Sequence, residues 1–258
     1  MALGWVAAAA AGPRVVSLDQ CADQYVLALA PRSDIAALSF RGVAADSYLR
    51  AEAAGLPRRR ASLESVLASR PGVVVRYWGG DELMARRLAA RGVAVVKIDD
   101  AQDFAGVRAN VARVAAVLRR REAGRALIAR MDAQLAASHG AWAGRRALYL
   151  TPGGYTAGKS TLVGAMMAAA SLRSAAPAPG FAPVSLERLV ADPPQAFVPG
   201  FFDKASAGTS HWSIAGHRTL KRAMAGRQIA SLPGAILGCP AWFAADGAET
   251  LARAARRP

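Results

Sequence analysis

The 258 residues carry a formal net charge of +15, 53% hydrophobic side chains and a mean hydropathy of +0.18. That apolar content excludes an intrinsically disordered chain, and the length suits two lobes of roughly 100 residues each. No apolar run reaches the roughly 18 residues of a membrane-spanning helix, and the basic residues, only four of them lysine, fall in short scattered clusters without the interleaved aromatics of a nucleic-acid groove.

In chain order, residues 1–12, MALGWVAAAAAG, look like the end of a secretory signal: a short apolar run closing on small residues. They lack a basic n-region and are expected to be a signal-peptide remnant. PRVVSL (13–18) predicts a first strand and CADQYVLALA a helix; DIAALS (34–39) predicts a second strand, followed by a basic loop that ends near Arg60. SLESVLAS is helical in pattern, and PGVVVRYW (71–78) is a buried strand closed by Gly79 and Gly80. DELMARRLAARG reads as an amphipathic helix with Gly92 as its C-cap, and VAVVKIDD as one more strand. Strands alternating with helices indicate parallel α/β layering, which makes 13–102 an N-terminal α/β lobe.

Residues 103–142 read as a helical segment. Val107, Val111, Val114 and Leu118 mark one apolar face, and Leu127, Ile128, Met131 and Leu135 another. The pattern predicts a connecting helix of about 18 residues from Arg121, roughly 27 Å long at 1.5 Å per residue. From 143 to 258 the earlier order recurs as a C-terminal α/β lobe. ALYLTPGGYTAGKSTLVGAMMAAA gives strand, loop and helix, and SLERLVADPPQAFVPG (185–200) echoes SLESVLASRPGVVVR (62–76) at an offset of 123 residues. QIASLPGAILGCPAWF supplies a last strand and loop, and ADGAETLARAARR a closing helix that starts like a capping box. The expected fold class is α/β: two α/β lobes joined by a single long backbone helix, with a ligand cleft between the lobes.

Gly153–Ser160 spells G-x-x-x-x-G-K-[ST], the loop in which backbone N–H groups cradle phosphates and a Ser or Thr hydroxyl holds Mg²⁺. Its setting is poor. A hydrolase also needs a carboxylate at the end of a later apolar strand. In QAFVPGFFD, Pro199-Gly200 interrupts the strand before Asp203, and the cleaner strand ending at Asp99 and Asp100 precedes the loop. A P-loop NTPase or phosphotransferase using Gly153–Ser160 is therefore the second reading. The histidines His139, His211 and His217 complete neither a serine elbow nor a zinc spacing, and neither a metal site nor a cofactor is implied. Cys21 and Cys239 stand outside any C-x-x-C; one disulfide and two buried thiols both remain open.

RVVSLDQCADQYVLALA, SLExVLAxxP ahead of VVVRYWGG, PGGYTAGKSTL, VSLERLVADPPQAFV and LPGAILGCPAWFAADGAETLARA follow one another in an order that resembles the periplasmic solute-binding proteins of ABC importers for cobalamin, ferric siderophores and haem. The resemblance covers Arg14 to about Arg253 and is nearest to the cobalamin-type proteins, in which a GK-containing loop also opens the second lobe. It implies a periplasmic, monomeric protein without enzymatic activity or nucleic-acid partner, which carries a metal chelate to an ABC permease in the inner membrane. It implies cleft aromatics at Tyr77 or Trp78, Tyr155, Phe181 and Trp242, whose planes suit flat macrocyclic or catecholate ligands. Glu64 and Glu187 match the glutamate that each lobe of the family presents to permease arginines; a carboxylate in a first helical turn is also favoured by the helix dipole. Arg58 replaces a cleft tryptophan, and Ala241 an acidic contact, of the cobalamin-type proteins; Arg41, Arg58 and Arg76 suit an anionic chelate instead. Cys21 and Cys239 are expected in loops near the cleft, where a disulfide is preferred to free thiols or direct metal contact.

Overall fold

The computed structural model describes residues 12–203 and 217–256, so residues 1–11 of the signal-like segment, and His211, lie outside the described residues. The N-terminal lobe is built on β1 (Val15–Ser17), β2 (Ile35–Ser39), β3 (Arg58–Arg59), β4 (Val73–Tyr77) and β5 (Ala94–Ile98), all parallel in the order β3-β2-β1-β4-β5. Val15, Val16, Val73, Val74 and Val75 are all buried, as strands covered on both faces of a parallel sheet require. One face meets α1 (Gln20–Leu29) and α4 (Phe104–Val117). The other meets α2 (Leu63–Ala68) and α3 (Glu82–Ala89), where Val16, Ala37 and Val74 pack with Val66, Met84 and Leu88.

The helical segment is two helices. α4 buries Val107, Val111 and Val114 completely, the chain turns at Arg119 with φ 58°, and α5 (Arg121–Ser138) then runs 18 residues, about 27 Å. Leu127 and Met131 face the core, with Ile128 and Leu135 half-buried beside them.

In the C-terminal lobe β6 (Arg146–Leu150) lies between β10 (Ala196–Pro199) and β8 (Arg173–Ser174), all parallel. A separate antiparallel ribbon joins β7 (Tyr155–Ala157) to β9 (Phe181–Pro183). α6 (Leu162–Ala169) and α10 (Ala244–Ala254) contribute to the large core. On the opposite side of the sheet, α7 (Leu186–Ala191) and α8 (Arg218–Met224) set Leu189, Leu220 and Met224 against Leu148, Leu150 and Phe197. The last strand expected from QIASLP does not form as a strand. Gln228 and Leu232 each make a single bridge, to Phe197 and Gly200, before α9 (Gly234–Leu237); Pro233 has no N–H with which to continue the ladder. Nor does α10 carry the expected side-chain cap: its leading N–H groups bond to Ala241 and Trp242 carbonyls in the turn before it. One apolar cluster runs from the first sheet through α4 and α5 to α6, α10 and the second sheet, so the lobes share a core along the connecting helix. Among the described residues no helix is long and apolar enough to cross a membrane.

Asp23 of α1 is fully buried among the ends of β1 and β2. It accepts the Ser39 N–H at 2.8 Å and the hydroxyls of Ser39 and Ser17. Burial outweighs these donors and pushes its carboxyl up to about 6. On acidification the native protein therefore takes up this proton before the unfolded chain does. The stability Asp23 contributes is complete below about pH 4 and is lost as pH rises through 6. Denaturant unfolding between pH 4 and 8 is expected to show wild type losing about 2–3 kcal/mol relative to Asp23→Asn as pH rises.

Candidate functional site

In the first sheet the chain moves from β1 to β2 on one side and returns to β4 on the other, which opens a crevice beyond the C-terminal ends of β1 and β4. Asp19 sits at that reversal. Its carboxylate caps α1 through the Ala22 N–H at 2.8 Å and also accepts the Tyr77 N–H at 2.7 Å; burial raises its pKa against these bonds. The Tyr77 hydroxyl donates to Asp100, just past β5, at 2.6 Å. Burial and that carboxylate push the phenol up, so it stays protonated. Trp78 follows, 51% exposed, its ring edge-to-face with Tyr77 at 6.1 Å.

Arg76, expected to meet an anionic ligand, is buried beneath this turn instead. Its guanidinium donates to the carbonyls of Tyr77, Trp78 and Gly80 and pairs with Glu82, so it holds the aromatic rim rather than a ligand. Arg41 is exposed and tied to Gln20 and Asp46, and Arg58 lies exposed on β3.

The opposite wall comes from the second lobe. The pairing of Ala157 with Phe181 and of Tyr155 with Pro183 sets Tyr155 and Phe181 on one face of the ribbon, 54% and 67% exposed, while Thr156 is buried on the other. The cleft between the walls has a volume of about 260 Å³. Tyr77, Asp100 and Gln102 line it from the first lobe, Ser160, Met166 and Phe181 from the second, and Cys239 and Pro240 from the loop before α10.

Trp242 is not part of that cleft. Its ring is buried edge-to-face against Tyr25 at 5.5 Å and Phe243 at 5.3 Å, and it borders a separate depression with Tyr48, Glu52 and Arg130. The loop that carries it is drawn onto α1, so its indole is used in packing. Cys21 lies in the first turn of α1, not in a loop, and is disulfide-bonded to Cys239 with Cα atoms 5.3 Å apart. Sequence reasoning missed Phe40, 57% exposed on the turn after β2 at the same edge of the sheet. It also missed the polar lining group Gln102, whereas Ser160, at the end of the GK-containing loop, lines the cleft. The one available signal for Phe40 was a large aromatic placed directly after an apolar strand.

The G-x-x-x-x-G-K-S stretch forms no phosphate cradle. It is interrupted by β7, and several of its backbone donors are already used. Gly158 N–H donates to Gly180 O at 2.9 Å, Ser160 N–H to Pro179 O at 2.7 Å, and Gly154 N–H to Thr151 O at 2.9 Å. Thr161 caps α6 through the Gly164 N–H. Asp203, considered for Mg²⁺, accepts the Gly234 N–H with both oxygens at 3.0 Å. Of the histidines, His139 ends α5 and His217 caps α8, both exposed.

The repeated S-L-E element is a repeated structure. Ser62 caps α2 and Ser185 caps α7, which places Glu64 and Glu187 exposed in equivalent first turns. Ser185 also donates to Glu187 at 2.7 Å and holds that carboxyl below its usual range.

A family model described as periplasmic binding protein matches residues 15–227. The chain belongs to the periplasmic binding protein family. It is a periplasmic binding protein and not an enzyme, which sets aside the NTPase reading together with its missing cradle. Solved structures of similar fold include the periplasmic heme-binding protein BhuT in complex with two hemes, at 24% identity and TM-score 0.73, covering 94% of this chain and 97% of that one. The heme-binding protein HutB of Vibrio cholerae matches at 17% identity and TM-score 0.75, covering 93% and 97%. The vitamin B12 binding protein BtuF of Vibrio cholerae matches at 14% identity and TM-score 0.66, covering 95% and 97%. No curated protein matches this binding protein by sequence.

Proposed function

We propose that this chain is the substrate-binding component of an ABC importer, which takes up a metal chelate (a corrinoid, a ferric siderophore or haem) in the interlobe cleft and delivers it to an inner-membrane permease. The observation that carries the reading is a pair of aromatics lining the cleft from its two lobes, half-buried Tyr77 and exposed Phe181, each with an exposed aromatic beside it: Trp78 next to Tyr77, and Tyr155 on the same face of the ribbon as Phe181. Exposed aromatic planes across a crevice favour a flat or macrocyclic ligand by stacking and apolar burial. The heme- and B12-binding proteins of the same fold support the ligand class.

Titration of the purified protein with cyanocobalamin, haemin and a panel of ferric siderophores, followed by tryptophan fluorescence and ligand absorbance, tests this. One class is expected to bind at micromolar affinity or better; if none binds, the proposal fails. Trp78→Ala and Phe181→Ala are each expected to weaken that ligand about 10-fold, the effect of losing roughly 1–2 kcal/mol of aromatic contact.

Delivery is assigned to Glu64 and Glu187, one per lobe, acting as a single chain on a two-fold permease. A charge-assisted contact contributes about 1.5–3 kcal/mol, and two on one rigid body reinforce each other. Glu64→Ala/Glu187→Ala is therefore expected to leave chelate affinity unchanged while lowering ligand-stimulated ATPase of the reconstituted transporter at least about 100-fold at limiting binding protein.

A further inference from the structure

The main chain crosses between the lobes along α5, beside the core they share, and this leaves the separation of the cleft walls to contacts nearer the opening. The loop between α9 and α10 belongs by sequence to the second lobe and supplies Cys239 and Pro240 to the cleft wall. Its bonds go to the first lobe. Cys239 is disulfide-bonded to Cys21, in the opening turn of α1. One turn further along α1, the Tyr25 hydroxyl donates to Pro240 O. Behind the cleft, Phe243 stacks on Tyr48 at 4.1 Å, and Tyr48 donates to Asp246.

The facing wall is referred to the same helical turn. Asp19, two residues before Cys21, holds the Tyr77 N–H at 2.7 Å while capping α1. The start of α1 thus grips both sides of the opening: Tyr77 through a carboxylate, and the 238–240 segment through a covalent bond.

We propose that the Cys21–Cys239 disulfide is a positioning element that sets the width of the cleft and thereby its selectivity for ligand size. The selectivity rests on the reading of this cleft as a chelate site; the control of width does not. A preset opening means that little ordering remains to be done on binding. Without the disulfide, the noncovalent contacts of Tyr25, Tyr48 and Phe243 and the shared core would be left to hold the two walls, and ligands of different bulk would be accepted more evenly.

The test is a spin–spin distance measurement between keto-reactive labels on p-acetylphenylalanine at Arg87 in α3 and Arg222 in α8, both exposed positions. The oxidised protein is expected to give one narrow distance distribution without ligand, and Cys21→Ser/Cys239→Ser one at least twice as wide. If the double variant does not fold, the wild-type sequence reduced with a phosphine, with folding checked by circular dichroism, provides the same comparison. A disulfide acting on stability alone would lower the unfolding temperature and leave the width for the folded population unchanged, and that result overturns the proposal. In parallel, the ratio of haemin to cyanocobalamin affinities is expected to move toward unity in the variant by 5-fold or more, from whichever side the wild type lies. If neither these two compounds nor any of the ferric siderophores binds, the chelate reading fails while the distance comparison still decides the positioning role.

Discussion

Reducing the Cys21–Cys239 disulfide is expected to lower the unfolding temperature by roughly 10 °C, the largest thermal shift any single covalent change should produce here. The argument rests on where the disulfide lies along the chain. It joins residues 218 apart, and closing a loop of that length removes conformational freedom from the unfolded state worth about 5 kcal/mol in the chain-entropy picture. For a protein of this size each kcal/mol moves the midpoint by about 2–4 °C. Calorimetry with and without reductant measures the shift, and Cys21→Ala/Cys239→Ala should melt at the reduced temperature and ignore reductant. A shift below about 2 °C would mean that the unfolded chain retains contacts that already hold these two segments together.

Gly158→Ala is expected to destabilise the protein by about 3–4 kcal/mol and to weaken chelate binding at least 10-fold. A Cβ at Gly158 would stand 1.9 Å from Ala178 O and 2.7 Å from the carbonyl of Pro179. These are backbone atoms with no rotamer in which to retreat. Relief requires the two segments to part, which breaks the Gly158–Gly180 and Ser160–Pro179 hydrogen bonds and loosens the ribbon that presents Tyr155 and Phe181. On its other side Gly158 is just as confined: a Cβ at Gly164 would come within 2.2 Å of Gly158 O. Gly153→Ala is the contrast, because its nearest neighbours would be 3.9–4.0 Å away, and it should be nearly neutral. A phosphate-binding loop would demand both glycines; this one demands only the second. Urea unfolding and ligand titration of the two variants separate the cases.

That stretch shows what a sequence can and cannot disclose. The spacing of Gly153, Gly158, Lys159 and Ser160 is legible, but which partners the backbone N–H groups find is not, because Pro179 and Gly180 lie some twenty residues on. Elements with a repeating apolar period were readable: the 18-residue α5 from Arg121, the valine-rich β1 and β4, and the two S-L-E starts all follow from local pattern. Features decided by distant contacts were not. Trp242 is buried because α1 draws its loop inward, and Arg76 turns beneath the sheet end because Glu82 and three carbonyls wait there. Phe40 and the β7–β9 ribbon went unseen for the same reason, since neither carries a periodic signal.

One outer strand of each parallel sheet, β3 and β8, shares a further property. β3 is two residues long and consists of Arg58 and Arg59, both exposed; β8 is also two residues long and begins with exposed Arg173. Short, cationic borders deny another chain the unpaired peptide groups on which intermolecular ladders grow. Part of the excess of positive charge, at Arg58, Arg59 and Arg173, thus guards these two sheet borders against self-association.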